Sequence, residues 1–266
     1  MPHHTKPQNT KSQNNIPQKP LSIQTIRNQI DSIDNKLLSL IAERSQLIPL
    51  VKEIKKNEIT KIRPLREVEI FHKINNIFQG IYHKNHIQKI WRELISATLL
   101  IEGDLSFILP KNKNLPTQLE LTKYYFSNNA HYLIAKNLQD CFQQINQNPS
   151  LNILLSPPSF HNKKKWWLLY YNFYYKNHIT PQPIPKITMA LPLTNSSPTL
   201  FLLSNSKIEE GNNNISYFIT SKSFSHKDFK ILDSNTKYNF ISTDKFYTNN
   251  IIINHCELIF IGCINL

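Results

Sequence analysis

The sequence predicts a multi-domain α and α/β chain, helical near its N-terminus and mixed beyond, from three observations. Apolar residues recur at helical spacing up to Gly103. After Gly103 they fall into short alternating or continuous blocks bounded by Gly, Pro, Asn and Ser, the texture of strands and intervening helices. Residues 1–20 are rich in Asn, Gln, Pro and Lys with little apolar content, as in a disordered tail. These observations divide the chain into a tail (1–20), a three-helix domain (21–103), a small α/β domain (104–198) and a strand-rich segment (199–266).

The first helix is expected over residues 21–56, where Ile26, Ile30, Ile33, Leu37, Leu40, Leu47, Val51 and Ile54 form one narrow stripe. The step between Leu40 and Leu47 lands on Arg44, and a guanidinium on a packing seam needs an anion there. Lys55 follows on nearly the same face, and Pro49 is expected to kink the helix near Ser45. Pro64 can open a second helix, predicted over 65–78 with Ile70, Phe71, Ile74, Ile77 and Phe78 inward and Glu67 on the same stripe. The third is predicted over 85–102, with Ile87, Ile90, Trp91, Leu94, Ile95, Thr98 and Ile101 inward and Gly103 ending it. One such copy cannot bury its long helix, so a helical dimer is expected.

Strands are then predicted at 105–109, 132–135, 152–155 and 186–191, separated by helices at 117–126, 138–146 and 166–175. This order implies a small parallel layer. The last segment offers short strands at 200–203, 216–220, 239–242, 251–253 and 257–261, and a helix near 225–232.

Composition narrows the function without choosing it. The net charge of +13 suits nucleic acid or an anionic small molecule, but Asn, Ile and Lys are abundant everywhere, which a biased composition explains equally. Cys141, Cys256 and Cys263 form no CxxC and no zinc spacing, so a reducing, cytoplasmic setting is expected and no metal site. No apolar run reaches the roughly eighteen residues of a membrane span. The aromatic run from Trp166 to Tyr175, preceded by Lys163 to Lys165, invites a nucleic-acid reading, but an aromatic helix packed on the sheet explains it better. No nucleic-acid partner is therefore expected. His161, His178, His226 and His255 show no ligand spacing and read as surface or loop residues.

The polar groups on the helical stripes are Arg44, Lys55, Glu67, Thr98 and Glu102, with Thr98 and Glu102 an i, i+4 pair. Singly, each reads as a surface pair or a snorkelled end. Together, two cations, two carboxyls and a hydroxyl describe a site for a small polyanion that carries a hydroxyl. Arg27 lies ~25 Å along the helix from Arg44, at ~1.5 Å per residue, too far to share a ligand within one chain. In an antiparallel pairing of two first helices it would reach the partner's site.

These residues occur in recognisable motifs: Ile26-Arg27, Ile30-Asp31, Asp34 and Leu37-Leu38, then Ala42-Glu43-Arg44, Lys55, Arg63-Pro64-Leu65-Arg66-Glu67 and Trp91-Arg92-Glu93-Leu94-Ile95. Over residues 21–103 the chain resembles the all-helical, AroQ-type chorismate mutases. The resemblance implies an intertwined dimer that rearranges chorismate to prephenate in aromatic amino acid biosynthesis, with neither cofactor nor covalent intermediate. It implies that Arg44 and the Arg27 supplied in trans bind the two carboxylates, that Lys55 and Glu102 address the ether oxygen, that Glu67 accepts from the ring hydroxyl with Arg66 nearby, and that Thr98 assists at a carboxylate. Orientation and fixed charge aimed at the breaking bond would then supply the catalysis.

The chain departs from the family's pattern in two ways. Many members carry glutamine where Glu102 stands, and a carboxyl can help a developing oxyanion only as the neutral acid. Activity is therefore expected to fall as pH rises, and Glu102→Gln to remove the fall. Several members carry aspartate where Arg63 stands, so no ligand role is carried to it.

Residues 104–266 look, in order of elements and not in motif, like a truncated dehydratase-plus-ACT arrangement. The Thr-Arg-Phe triplet of the dehydratase site is absent, as are a GxGxxG and the glycine loop of a working ACT domain, with four glycines in all. Rival readings are an isochorismate pyruvate lyase on the same fold and a non-catalytic binding protein.

Overall fold

The computed structural model describes residues 22–103, 105–159, 165–176, 183–191 and 199–265. The expected tail, His161, His178, Lys163 and Lys164 lie outside them. The chain divides into two compact units, 1–47 and 48–266.

In the first unit, α1 spans Ile23–Gln46. Ser22 caps it, its hydroxyl accepting the Thr25 N–H at 3.1 Å, which satisfies one of the orphan donors of the first turn. None of its residues is buried, and Ile30, Ile33, Leu37 and Leu40 are each at least half exposed. The expected helix over 21–56 does not run through. Leu47 ends α1 in a tight turn, its N–H on the Arg44 carbonyl at 3.2 Å, and α2 restarts at Ile48–Ile54. The cause is Pro49, which has no N–H to return to the Ser45 carbonyl and is tolerated only in a first helical turn.

The second unit begins with α2 and continues with α3 (Pro64–Ile77) and α4 (Lys84–Glu102). Pro64 holds the first position of α3 as expected, but Ile77 is exposed. The face of α4 also differs from the one expected. Arg92, Ile95, Ser96, Leu99 and Glu102 are buried, while Ile90, Trp91 and Ile101 are exposed. This helix is apolar on more than one side, so periodicity alone selects the broader face. Packing selects the other, whose Ile95 and Leu99 join the core against the sheet.

Among the described residues ten strands form one sheet: β1 (Ser106–Pro110), β2 (His131–Ala135), β3 (Asn152–Leu155), β4 (Lys186–Leu191), β5 (Leu200–Ser204), β6 (Asn214–Ser221), β7 (Lys230–Ser234), β8 (Tyr238–Thr243), β9 (Ile251–Ile253) and β10 (Cys256–Asn265). Their order is β2-β1-β3-β5-β4-β10-β6-β8-β7, with β9 on β10. The pairs β1–β2, β1–β3 and β4–β10 are parallel and the others antiparallel. The expected parallel layer is thus the edge of a larger mixed sheet.

Between the strands lie α5 (Leu115–Phe126), α6 (Leu138–Gln147) and α7 (Trp166–Tyr171), the last running into a π-helical turn at Asn172–Lys176. Side-chain alternation divides the core. Phe107, Leu109, Leu154, Leu200 and Leu202 pack with Phe71, Ile74, Ile95 and Leu99 of α3 and α4, while Ile108, Ile153, Leu155, Phe201 and Leu203 face Phe142, Trp167, Tyr170 and Tyr174. Covered on both faces, these strands read as near-continuous apolar runs. The aromatic run is core, as its packing reading expects.

The helix expected near 225–232 is absent, and β7 takes its C-terminal part. Pairing with β8 overrides the local pattern and buries Asp233, which accepts from Trp167 Nε1 at 2.8 Å and is ion-paired to Lys165.

At the β4–β10 seam, Lys186 donates to the Phe260 carbonyl and the Tyr175 hydroxyl, both at 2.8 Å, and burial pushes its ammonium down to about 8. Next to that carbonyl β10 shifts register, and Gly262 lies opposite Ile187 with φ of 153°. A Cβ there would stand 2.2 Å from the Ile187 carbonyl oxygen, backbone that cannot step aside. Gly103 is different: its φ of 173° suits any residue, and the nearest atoms to an added Cβ, 3.6 Å away, belong to the Lys61 side chain. Gly262→Ala is expected to lower stability by at least about 2 kcal/mol in urea unfolding, and Gly103→Ala to change it by no more than about 0.5 kcal/mol. Equal effects would show that the close approach at Gly262 carries no constraint.

Candidate functional site

Lys55 follows the last turn of α2, its N–H on the Val51 carbonyl at 3.0 Å. Its ammonium meets the Glu102 carboxylate at 2.7 Å, with the two side chains 15% and 2% exposed. Glu102 is the last residue of α4, so the pair closes the end of one helix onto the end of another. Lys61 holds this turn from behind, its Nζ donating to the carbonyls of Lys55 and Glu58.

A second ion pair joins α3 to α4. Glu67 and Arg92 are both buried and bonded to each other through Glu67 Oε2. The Arg92 guanidinium also lies over the rings of Phe71 and Tyr125, at 4.4 and 5.4 Å from their centroids. Glu67 Oε1 is buried and has no hydrogen-bond partner among the described residues. It is an acceptor in want of a donor.

Sequence reasoning gave Arg92 no role. Its signal lay in the spacing of Arg92, Ile95, Leu99 and Glu102, a stripe passed over for the one that contains Trp91. Of the remaining expected residues, Thr98 donates its hydroxyl to the Leu94 carbonyl of its own helix at 2.8 Å. Arg66 is exposed and paired with Glu69 at 3.1 Å. Arg63 binds Glu58 and Glu209. Arg27 and Arg44 belong to α1 in the other compact unit, the first exposed and the second half-buried.

The structure therefore brings Lys55 to Glu102, and Glu67 to Arg92. Chemically this is a set of hydrogen-bond donors and acceptors. An ammonium can give a hydrogen bond to an ether or carboxylate oxygen, and an unfilled carboxylate oxygen can take one from a hydroxyl. Among the described residues no group of three or more His, Cys, Asp or Glu could hold a metal ion, and no helix is long and apolar enough to cross a membrane.

Helices that carry buried ion pairs, joined to a mixed α/β sheet, define the class. The comparisons narrow it: residues 26–103 match the family model of chorismate mutase type II, the family that the helical motifs resemble. Similar curated proteins are bifunctional chorismate mutase/prephenate dehydratases. The one from Neisseria gonorrhoeae is 30% identical over 119 residues, covering 45% of this chain and 32% of the relative. The one from Aquifex aeolicus is 32% identical over 130 residues, covering 46% and 35%. The chain thus matches about a third of the length of these relatives. No solved structure matches.

If the Glu67–Arg92 pair is coupled as its burial implies, Arg92→Leu strands a buried carboxylate. It should then cost about 3–5 kcal/mol in chemical unfolding. Adding Glu67→Leu should restore part of that loss, because the unpaired charge goes with it. Single losses that simply add in the double variant would mean the pair does not interact.

Proposed function

We propose that this chain is a chorismate mutase, rearranging chorismate to prephenate in the cytoplasm as a homodimer. The observation that carries the reading is the Lys55–Glu102 pair, two groups set 2.7 Å apart by the ends of α2 and α4 inside the segment that matches the family. The rearrangement is pericyclic, so the protein's work is to orient the substrate and stabilise charge. Arg44 and the partner subunit's Arg27 grip the two carboxylates and hold the reactive conformer. Lys55 donates to the ether oxygen as the bond breaks. Glu67 accepts from the ring hydroxyl, a role that its unfilled Oε1 suits. The exposed apolar stripe of α1 supports the dimer, since a second copy is what would cover it.

Glu102 stands beside Lys55 at the ether oxygen, and its carboxylate holds the ammonium that donates there. Chorismate turnover on the full chain, with products identified, tests the reading. Prephenate is expected, and Glu102→Gln should raise the rate, because an amide donates to the oxygen that a carboxylate repels. Arg44→Ala should lower kcat/KM by roughly 100-fold or more. Salicylate and pyruvate from isochorismate, with no prephenate from chorismate, would replace this reading by the lyase one. A Glu102→Gln rate no higher than that of the wild type would remove the role given to Glu102.

The arrangement in trans has its own test. Mixed dimers of Arg27→Ala and Arg44→Ala chains contain one site with both arginines intact, so mixing two inactive variants should restore about a quarter of the wild-type rate under random exchange. No recovery, with exchange shown by mass spectrometry, would place both arginines in the same chain's site.

A further inference from the structure

Among the described residues β2, β7 and β9 each pair on one side only. An edge strand is a template for further pairing unless something blunts it. β9 is only three residues long. β7 shifts register beside Asp233, whose charge is buried against Lys165. β2 carries neither device: its register is unbroken, it holds no lysine, carboxylate or proline, and Leu133 and Ile134 are 43% and 48% exposed.

The ladder fixes which backbone groups face outward. His131 donates to the Leu105 carbonyl and Lys111 to the Ala135 carbonyl, both at 2.9 Å. The parallel register between these two bonds turns the N–H and C=O groups of His131, Leu133 and Ala135 toward β1. Those of Tyr132 and Ile134 point the other way, to the open edge. The row stops at Lys136, whose N–H the Asp140 carboxylate takes at 2.8 Å.

We propose that β2 is a self-association edge, on which a second copy of this chain docks its own β2 antiparallel about a two-fold axis at Leu133. The outward groups are their own complement in that register: Tyr132 of each copy faces Ile134 of the other, and each pair exchanges both of its N–H···O=C bonds. The side chains match as well. Leu133 meets its own copy as a non-hydrogen-bonded pair, where side chains approach closest, and on the other face Ile134 lies across from the Tyr132 ring. That ring is already fixed, stacked on Phe107 with its hydroxyl donating to the Ser127 carbonyl at 2.6 Å. Charges do not oppose one another, since Lys136 falls opposite Ala130 and His131 opposite Ala135. An axis at Ile134 instead would need the Lys136 N–H that Asp140 holds. The contact lies wholly within the second compact unit and does not rest on the function proposed above.

Sedimentation velocity on the full chain, from ~5 to ~500 μM, tests the edge, because a contact of this size is expected to be weak. The average mass should rise about twofold over that range. The rise should strengthen between ~0.05 and ~0.5 M NaCl, since the contact is made by backbone bonds and apolar groups while the two chains share a charge of +13. Ile134→Lys should weaken the association at least about tenfold. Leu133→Cys should form a disulfide between the two 133 positions on air oxidation, identified by peptide mass spectrometry, because the Cα atoms of that pair stand ~4.5 Å apart. Ile134→Cys should not, its Cα atoms being ~8 Å apart in this register. An average mass that stays constant to ~500 μM would overturn the proposal, as would Ile134→Lys associating like the wild type. Cross-linking of Ile134→Cys as readily as of Leu133→Cys would overturn the register. None of these readings uses turnover, so their failure leaves the mutase reading standing, and an absence of turnover leaves the edge assignment standing.

Discussion

An ionised side chain on the dry side of a helix survives only against a counter-ion, and that constraint holds the helices of the second unit in place. The buried side of α4 carries Arg92 in its middle and Glu102 at its end. Each finds its partner on a different element, Arg92 on Glu67 of α3 and Glu102 on Lys55 after α2. Rotating α4 to bury its broader apolar face would strand both charges. Such pairs add little to net stability when compared with apolar replacements, but removing one member is costly, so they specify an arrangement more than they strengthen it.

The sheet supplies what those helices lack. Ile95 and Leu99 are buried in one cluster with Phe107, Leu109, Leu154, Met189 and Leu202, so the helices that carry Glu67 and Glu102 rest on strands far along the chain. Residues 105–265 thus contribute to the candidate site by positioning it.

Legibility differed sharply between elements. The strands at 152–155, 186–191 and 251–253 were placed by residue pattern to the residue, because short apolar runs bounded by turn formers are too brief for a helix. The start of α3 at Pro64 was equally plain. The stretch 225–232 was not, because a charged, locally helical pattern becomes half a strand only when β8 is there to pair with it. Lys55 and Glu102 could be suspected as charges on apolar stripes, while Arg92 was hidden by the presence of a second, more apolar face on its helix.

The residues alone settle most of the helices and strands, that Pro49 must disturb the first helical run, and that charges interrupt the helical stripes. All of these follow from local sterics, hydrogen-bonding capacity and period, which neighbours along the chain determine. Which face of α4 is buried, that Glu67 pairs with Arg92 and Lys55 with Glu102, and that β2 stands at an edge of the sheet are decided by tertiary structure. They depend on surfaces meeting from residues 25 to 100 positions apart, and no local pattern encodes the shape of a surface that the chain has yet to build.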